Sequence, residues 1–419
     1  MSKLQKLSKQ ALKNKNLLAN FGYLSALQGL NLILPLVTYP YLIRVLGTEV
    51  FGSVLFAQAI AAYAAVVVNF GFNITATRDV AVLRNKPNKL HQLVSGVLSI
   101  KGLLLLLAFV LLLVLCYTVP AFAEDRALYL LSFGVCFNEW LFPIWFFQGI
   151  EKMKYITFIQ LASRVTFVLL IFLFVNQESD YLRVPAFYGL GALLAGIISL
   201  YVLLRVQKVK LNWQSWSYLK ELLANSLPVF YSRVSSVVTE RANVLVIGAF
   251  LGMSAVTYYD FALKILHAFK IPADILAQTV FPRIAQTQNK LLAKRQLLLG
   301  SAWAILAAIL LSVFAKEIAT LVGGPEMEPM AYLLYFVAAL LFITCLSYGL
   351  GQPYLVAFGF VKLFSRLVMA ANALYIIGLV LLLAFDAVSI VNCLLLLLLS
   401  DGVNTLLRFV YSFKKGLFT

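Results

Sequence analysis

Long apolar stretches separated by short polar connections form the main pattern of this chain. A membrane-spanning helix needs about 20 apolar residues, and on that basis the 419 residues hold about twelve spans. The expected spans are 17–46, 50–76, 93–117, 127–150, 156–176, 184–205, 222–250, 254–282, 296–322, 330–357, 364–385 and 388–411. The pattern therefore predicts an all-α polytopic membrane protein whose loops are too short to fold as separate domains.

Composition strengthens this interpretation. The chain is 62% hydrophobic and only 12% charged, and a water-soluble domain of this size could not present such residues on its surface. The four cysteines lie inside apolar stretches without paired spacing, so we interpret them as small core residues rather than a disulfide framework. They are Cys116, Cys136, Cys345 and Cys393.

The net charge of +17 raises the question of a nucleic-acid partner. Of the 34 lysines and arginines, 24 fall in alternate connections and at the termini, and only four lie at the opposite ends of the spans. Basic residues mark the cytoplasmic side of membrane proteins, so both termini are predicted to be cytoplasmic. Because these residues are spread over seven segments, they do not form one basic face, and nucleic-acid binding is excluded.

An internal repeat indicates two halves. The stretches LGTEVFGSVLFAQAI (46–60) and LGMSAVTYYDFALKI (251–265) share Leu, Gly, Phe, Ala and Ile at matching places. Two six-helix halves of the same orientation would enclose a central cleft. We therefore expect pseudo-symmetric bundles, with an amphipathic cytoplasmic segment (1–16), an N-lobe (17–205), a basic cytoplasmic linker (206–221), a C-lobe (222–411) and a cytoplasmic tail (412–419).

The eighth span is unusually rich in ionisable groups. Asp260, Lys264, His267 and Asp274 follow one helical face, and Lys270 adjoins it. A charge at the centre of a lipid-facing helix costs about 2.5–3.5 kcal/mol or more, so these groups must have partners or water. Two interpretations stay open. The carboxylates either pair with the lysines four residues away and join helices, or the face lines a transport pathway.

The seventh span carries Arg233, Glu240 and Arg241. Arginine binds phosphate through two parallel hydrogen bonds and keeps its charge when buried. A cavity rich in Arg and Lys therefore favours an anionic substrate. The residues expected to bind it are Arg233, Arg241, Lys264, His267 and Lys270.

The N-terminal half contributes mainly amides and one interior carboxylate. Glu139 is either a protonatable coupling group or a hydrogen-bonding partner between helices. Glu240, Asp260 and Asp274 are the other candidate coupling or pairing carboxylates. Lys101 is expected to extend to the membrane surface. The polar residues expected to line the cavity are Gln28, Asn31, Asn69 and Asn73.

Enzymatic signatures are missing from the sequence. It contains no phosphate-binding G-x-x-x-x-G-K-[ST] motif and no HExxH metalloprotease motif. His91 and His267 are its only histidines, so a histidine metal cluster is excluded. We expect a transporter without a metal or other cofactor, with H+ or Na+ as candidate coupling ions.

Several stretches resemble the Wzx-type polysaccharide-repeat flippases, which belong to the multidrug/oligosaccharidyl-lipid/polysaccharide exporter superfamily. The resemblance rests on the basic N-terminus leading into NLLANFGYLSALQGLNLILPLVTYPYLIRVLGTEVFG, on PIWFFQGIEKMKYIT (143–157), on SLPVFYSRVSS (226–236) and on LGMSAVTYYDFALKI. It covers essentially the whole chain. The match to PxWxFQGxEKM is the most specific part.

The resemblance implies a V-shaped cavity between the two bundles, open alternately to each side of a bacterial inner membrane. The implied substrate is an undecaprenyl-diphosphate-linked oligosaccharide for O-antigen, capsule or exopolysaccharide. A polysaccharide polymerase and a chain-length regulator are candidate partners. The alternatives are a multidrug or metabolite exporter of the same superfamily and a membrane-embedded polysaccharide polymerase.

Overall fold

The computed structural model describes the backbone of residues 3–417 and the side chains of residues 22, 23, 29, 34, 35, 37–281 and 283–417. Regular secondary structure in this part of the chain is entirely helical, as the apolar pattern predicts. The helices are α1 (Lys3–Asn69), α2 (Phe72–Leu83), α3 (Pro87–Thr118), α4 (Pro120–Ala123), α5 (Arg126–Ser132), α6 (Cys136–Leu141), α7 (Ile144–Gly149), α8 (Met153–Phe174), α9 (Arg183–Tyr201), α10 (Trp216–Leu251), α11 (Met253–Thr287), α12 (Lys290–Val313), α13 (Ala315–Gly323), α14 (Leu333–Leu350), α15 (Val361–Ala384) and α16 (Ile390–Lys414). The amphipathic face predicted for residues 1–16 lies outside the described side chains.

Within the described residues, ten helical stretches are long and apolar enough to cross a membrane. They are Val37–Leu83, Pro87–Thr118, Arg126–Gly149, Met153–Phe174, Glu178–Val206, Trp216–Leu251, Lys290–Val313, Leu333–Val356, Val361–Ala384 and Ile390–Lys414. The first predicted span and most of the second lie on α1, which is kinked at Gly47, and the second span ends on α2. The eighth predicted span lies on the charged helix α11. The chain is thus a multi-pass membrane protein. The count of twelve, the bundle symmetry and the cytoplasmic termini stay predictions.

The chain forms two compact units. The first unit comprises the described residues of Met1–Tyr41 together with Val54–Glu240. The second unit comprises Leu42–Ser53 and the described residues of Arg241–Thr419. Helices α1 and α10 each contribute residues to both units. The four cysteines are buried and free.

The PxWxFQGxEKM stretch forms part of the core of the first unit. Trp145, Phe146 and Phe147 on α7 are at most 1% exposed and pack in one cluster with residues of α2, α3 and α8. A Cβ atom on Gly149 would lie 2.9 Å from the Thr77 carbonyl oxygen of α2. The distinctive sequence motif therefore acts as a packing element, because α7 approaches α2 too closely for any side chain at residue 149.

The two Leu-Gly turns of the internal repeat have the same backbone conformation. Gly47 has φ 73° and ψ 168°, and Gly252 has φ 88° and ψ 172°. Only glycine adopts this region of φ/ψ space without strain. The sequence repeat is therefore also a repeat of local structure, with a helix beginning after each glycine.

The two turn regions contact each other within the second unit. The Thr257 hydroxyl donates a hydrogen bond of 2.6 Å to the Thr48 carbonyl oxygen, and a Cβ atom on Gly52 would overlap the Met253 carbonyl oxygen. In the repeat, Thr48 corresponds to Met253 and Gly52 to Thr257. The pair is thus locally two-fold symmetric, because each contact joins the same two positions of opposite copies.

We expect Gly52→Ala to destabilise the protein. The added methyl group would force the turns apart, and overpacking of this kind costs about 1–3 kcal/mol. The thermal unfolding of purified protein measures the effect. Gly402→Ala is the matched control, because a Cβ atom at this helical glycine meets open space and alanine favours helix. Equal melting temperatures for Gly52→Ala and the native protein would contradict the described contact.

Candidate functional site

Helix α11 places its ionisable residues close together in the second unit. Lys270 Nζ lies 3.8 Å from Asp274 Oδ2 and 5.3 Å from the centre of the Tyr348 ring. Asp260 is only 6% exposed, whereas Lys264 is half-buried and His267 is exposed. The predicted pair of Lys270 with Asp274 is therefore present in the structure.

The surroundings of His267 are predominantly cationic. The charges of Lys270, Lys264 and Arg241 all act on its imidazole ring, together with the single carboxylate of Asp260. Arg241 lies in the last third of α10, the helix that precedes α11. The second unit thus brings together four of the five residues predicted to bind an anionic substrate, namely Arg241, Lys264, His267 and Lys270.

Arg408 on α16 is a further charged residue in the second unit, and it is one of the 24 basic residues that the charge pattern assigns to the cytoplasmic side. It is 6% exposed. Its Nη1 donates to the Ser347 carbonyl oxygen at 2.6 Å and to the Ser347 hydroxyl at 3.0 Å, and its guanidinium lies 4.8 Å from the centre of the Phe364 ring. Asp401 lies two turns earlier on the same face of α16, and the charges of both Lys270 and Arg408 act on its carboxylate. The cationic group therefore extends from α11 towards α16.

A buried polar triad joins three helices of the second unit. Asn243 on α10 donates to the Tyr259 hydroxyl of α11 at 2.7 Å, and the Tyr375 hydroxyl of α15 donates to the Asn243 side-chain oxygen at 2.6 Å. All three side chains are 1% exposed. The triad fixes the start of α11 against α10 and so positions the charged face that follows. The two tyrosines gave no sequence signal, because each lies in an apolar stretch.

Glu139 of the first unit is a hydrogen-bonding partner. Asn69 Nδ2 donates to Glu139 Oε2 at 2.6 Å, so these two predicted residues meet. The Lys101 ammonium group donates to the Glu139 backbone carbonyl at 2.8 Å and is attracted by the carboxylate of the same residue. A helical carbonyl normally accepts from the N–H four residues later, which here is Pro143 and has no N–H. Lys101 therefore satisfies a carbonyl that Pro143 leaves without a helical partner.

The prediction that Lys101 reaches the membrane surface is wrong. Its side chain is 0% exposed, because it is held at the break between α6 and α7. The position of Pro143, four residues after Glu139, is the sequence feature that could have predicted the buried position of Lys101. A proline in the middle of a span predicts an unpaired carbonyl and hence a donor on a neighbouring helix.

The other predicted site residues are not part of these groups. Arg233 and Glu240 are exposed on the part of α10 that belongs to the first unit. Asn73 is half-buried on α2, and its backbone carbonyl accepts from the Thr77 hydroxyl at 2.7 Å. The side chains of Gln28 and Asn31 lie outside the described residues.

Comparison with known proteins identifies the family. Residues 17–288 match the family described as "Polysaccharide biosynthesis protein". The chain belongs to this polysaccharide biosynthesis protein family. Two curated relatives carry the name "Putative O-antigen transporter". The one from Escherichia coli K12 is 29% identical over 368 residues, which cover 85% of this chain and 87% of the relative. The one from Shigella dysenteriae is 28% identical over 277 residues, 64% of this chain and 68% of the relative.

Solved structures show the fold of this polysaccharide biosynthesis protein. The lipid II flippase MurJ in an inward closed conformation has a TM-score of 0.71 at 15% identity and covers 93% of this chain and 87% of its own. An inward-facing multidrug resistance transporter of the MATE family, in the MOP superfamily, has a TM-score of 0.69 at 12% identity and covers 91% and 94%. These two structures show the fold, and the family match together with the two relatives confirms the resemblance drawn from the sequence. Both relatives are named transporters, in agreement with the prediction of a transporter rather than an enzyme.

We expect Lys101→Met to lower the free energy of unfolding by about 1–3 kcal/mol, because the Glu139 carbonyl would lose its donor. Lys89→Met, at an exposed position of α3, is the control and should have no effect. A double-mutant cycle tests the cause. In a Pro143→Ala background, residue 143 regains an N–H, and the loss caused by Lys101→Met should be about 1 kcal/mol smaller. Strictly additive losses in thermal or denaturant unfolding would contradict the role given to Pro143.

Proposed function

We propose that this protein is a flippase that moves an undecaprenyl-diphosphate-linked oligosaccharide repeat unit from the cytoplasmic to the periplasmic leaflet. The product would feed the assembly of O-antigen, capsule or exopolysaccharide. Family membership supports a role in polysaccharide synthesis, and the relatives named for O-antigen transport support this class of substrate.

The observation that carries the proposal is the cationic group on α10 and α11. The charges of Lys270, Lys264 and Arg241 act on the imidazole ring of His267, and so does the carboxylate of Asp260. Lys270 also pairs with Asp274, and Asp401 lies under the charges of Lys270 and Arg408. The basic residues still exceed the carboxylates, because Arg241, Lys264, Lys270 and Arg408 stand against Asp260, Asp274 and Asp401. A diphosphate carries several negative charges and accepts charge-assisted hydrogen bonds from such groups. A multidrug exporter for cationic compounds would need the opposite excess, so this balance favours the flippase.

The proposed mechanism is alternating access between two six-helix bundles, with both termini in the cytoplasm and the protein in the bacterial inner membrane. The diphosphate would bind Arg233, Arg241, Lys264, His267 and Lys270 while the polyprenyl chain stays in lipid. Gln28, Asn31, Asn69 and Asn73 would line the path of the sugars. Transport would be coupled to H+ or Na+ through one of the carboxylates, whose candidates are Glu139, Glu240, Asp260 and Asp274.

Deletion of the gene tests the flippase proposal directly. Lipid-linked repeat units should accumulate in the cytoplasmic leaflet, and surface polysaccharide should be lost, since synthesis on the inner face continues without translocation. Extraction and mass spectrometry identify the accumulated lipid, and a plasmid-borne copy should restore export. Normal surface polysaccharide in the deletion strain would overturn the proposal.

Single substitutions test the assignment of the cationic group. Lys264→Ala and Arg233→Ala should each slow translocation about tenfold or more, because each removes a charge-assisted contact to the substrate. Lys294→Ala, at an exposed position of α12, is the control. Export is measured with equal amounts of each variant in the membrane. Native export by Lys264→Ala and Arg233→Ala would remove these residues from the binding site.

A further inference from the structure

A groove on the first unit lies between α3 and the segment that precedes α10. It has a volume of about 380 Å³, within the range of small-ligand sites. Its lining residues are mostly apolar and include three tryptophans. They are Leu98, Ser99, Gly102, Leu103, Trp140, Trp213, Gln214, Trp216 and Leu219. The groove is separate from the charged residues considered above for transport.

The wall formed by the segment before α10 is held in place. The Asn212 N–H donates to the Ser95 hydroxyl of α3 at 3.0 Å, and Val209 is 4% exposed. These contacts fix the backbone on either side of Lys210, although the segment has no regular secondary structure. The next aromatic residue, Trp213, is 99% exposed. A wholly exposed indole beside an anchored backbone is a costly arrangement in water and a favourable one at a membrane interface.

Positively charged lysines lie close to the tryptophans of the groove. Lys220 Nζ lies 5.7 Å from the centre of the Trp216 ring, and Lys208 and Lys210 precede Trp213 in the same segment. Glu221 is the one acidic residue between 206 and 221, so this stretch carries an excess of positive charge. It is also part of the segment that the distribution of basic residues assigns to the cytoplasmic side. Such a combination of lysines and indoles suits an anionic headgroup at the level of the interface.

The groove continues into an apolar surface of α3. Leu103, which lines the groove, begins a row of exposed residues that share one face of the helix: Leu103, Leu106, Leu107, Val110, Leu111 and Val114. Between Leu103 and Val114 the helix rises about 17 Å. A hydrocarbon chain could follow this row from the membrane interior and end in the groove, with its headgroup beside Lys220.

We propose that this groove, which we call the tryptophan groove, binds one anionic phospholipid of the cytoplasmic leaflet. An acyl chain occupies the space between Leu103, Trp140 and Leu219, and the phosphate is held near Lys220 and Trp216. The bound lipid fixes the segment before α10 to the membrane surface. This inference does not depend on the proposed transport function.

Phospholipids with brominated acyl chains test the site, because bromine quenches tryptophan fluorescence on contact. The full-length protein is placed in phosphatidylcholine nanodiscs, and brominated phosphatidylglycerol or brominated phosphatidylcholine is titrated in. We expect phosphatidylglycerol to quench at lower mole fraction. Lys220→Gln should raise the quenching midpoint for phosphatidylglycerol about fivefold. Ser99→Phe, which fills the groove, should abolish the preference, and Lys89→Gln on the exposed start of α3 should leave it unchanged.

Two results would overturn the proposal. Equal quenching by both headgroups in the native protein would mean that the tryptophans are general interfacial anchors. Displacement of brominated phosphatidylglycerol by a polyprenyl phosphate, but not by unbrominated phosphatidylglycerol, would assign the groove to the lipid of the transport substrate. Thermal unfolding of each variant checks folding. If Ser99→Phe does not fold, the surface variant Lys220→Gln decides the outcome.

Discussion

The need to pair every backbone polar group away from water governs how this chain is built. Inside a membrane an unpaired carbonyl costs several kcal/mol, because no solvent replaces the missing donor. Pro143 breaks the helix between α6 and α7, and the Lys101 ammonium group on α3 donates a hydrogen bond to the Glu139 carbonyl at this break. The Leu141 carbonyl, at the same break, accepts from the Ser199 hydroxyl of α9 at 2.9 Å. One proline thus determines side chains on two other helices.

The second unit handles charge in a related way but with a different result. The Arg408 guanidinium is enclosed by Ser347 and the Phe364 ring, so it serves mainly to connect α14, α15 and α16. On α11, Lys270 has Asp274 and Tyr348 as partners while His267 stays exposed. The Arg408 side chain thus joins three helices from a buried position, whereas the face of α11 that carries His267 is partly exposed.

Element type and approximate position could be predicted from the sequence, because apolar length depends only on residues near each other in the chain. The repeat also marked Gly47 and Gly252 as matching positions, because it too can be read from neighbouring residues, although their shared conformation emerged only from the structure. The partner of Lys101 was not predicted, since the rule that long basic side chains extend to the interface considers one helix and ignores a break in its neighbour. Arg408 and the Asn243 triad were missed for the same reason. Their partners lie on helices far away in sequence, and only tertiary packing brings them together.

The contact between the two Leu-Gly turns shows how corresponding positions of the repeat can carry different residues and still fit each other. Gly52 has no side chain, whereas its counterpart Thr257 donates a hydrogen bond from its hydroxyl group to the Thr48 carbonyl oxygen. Threonine in both copies would collide with the opposing backbone, and glycine in both would leave a hole with no hydroxyl to fill it. The two copies are therefore complementary, like a knob and a socket. If one half of the chain were replaced by a second copy of the other half, the contact between Gly52 and Met253 or that between Thr257 and Thr48 would be lost. The similarity of the two sequences would not prevent this.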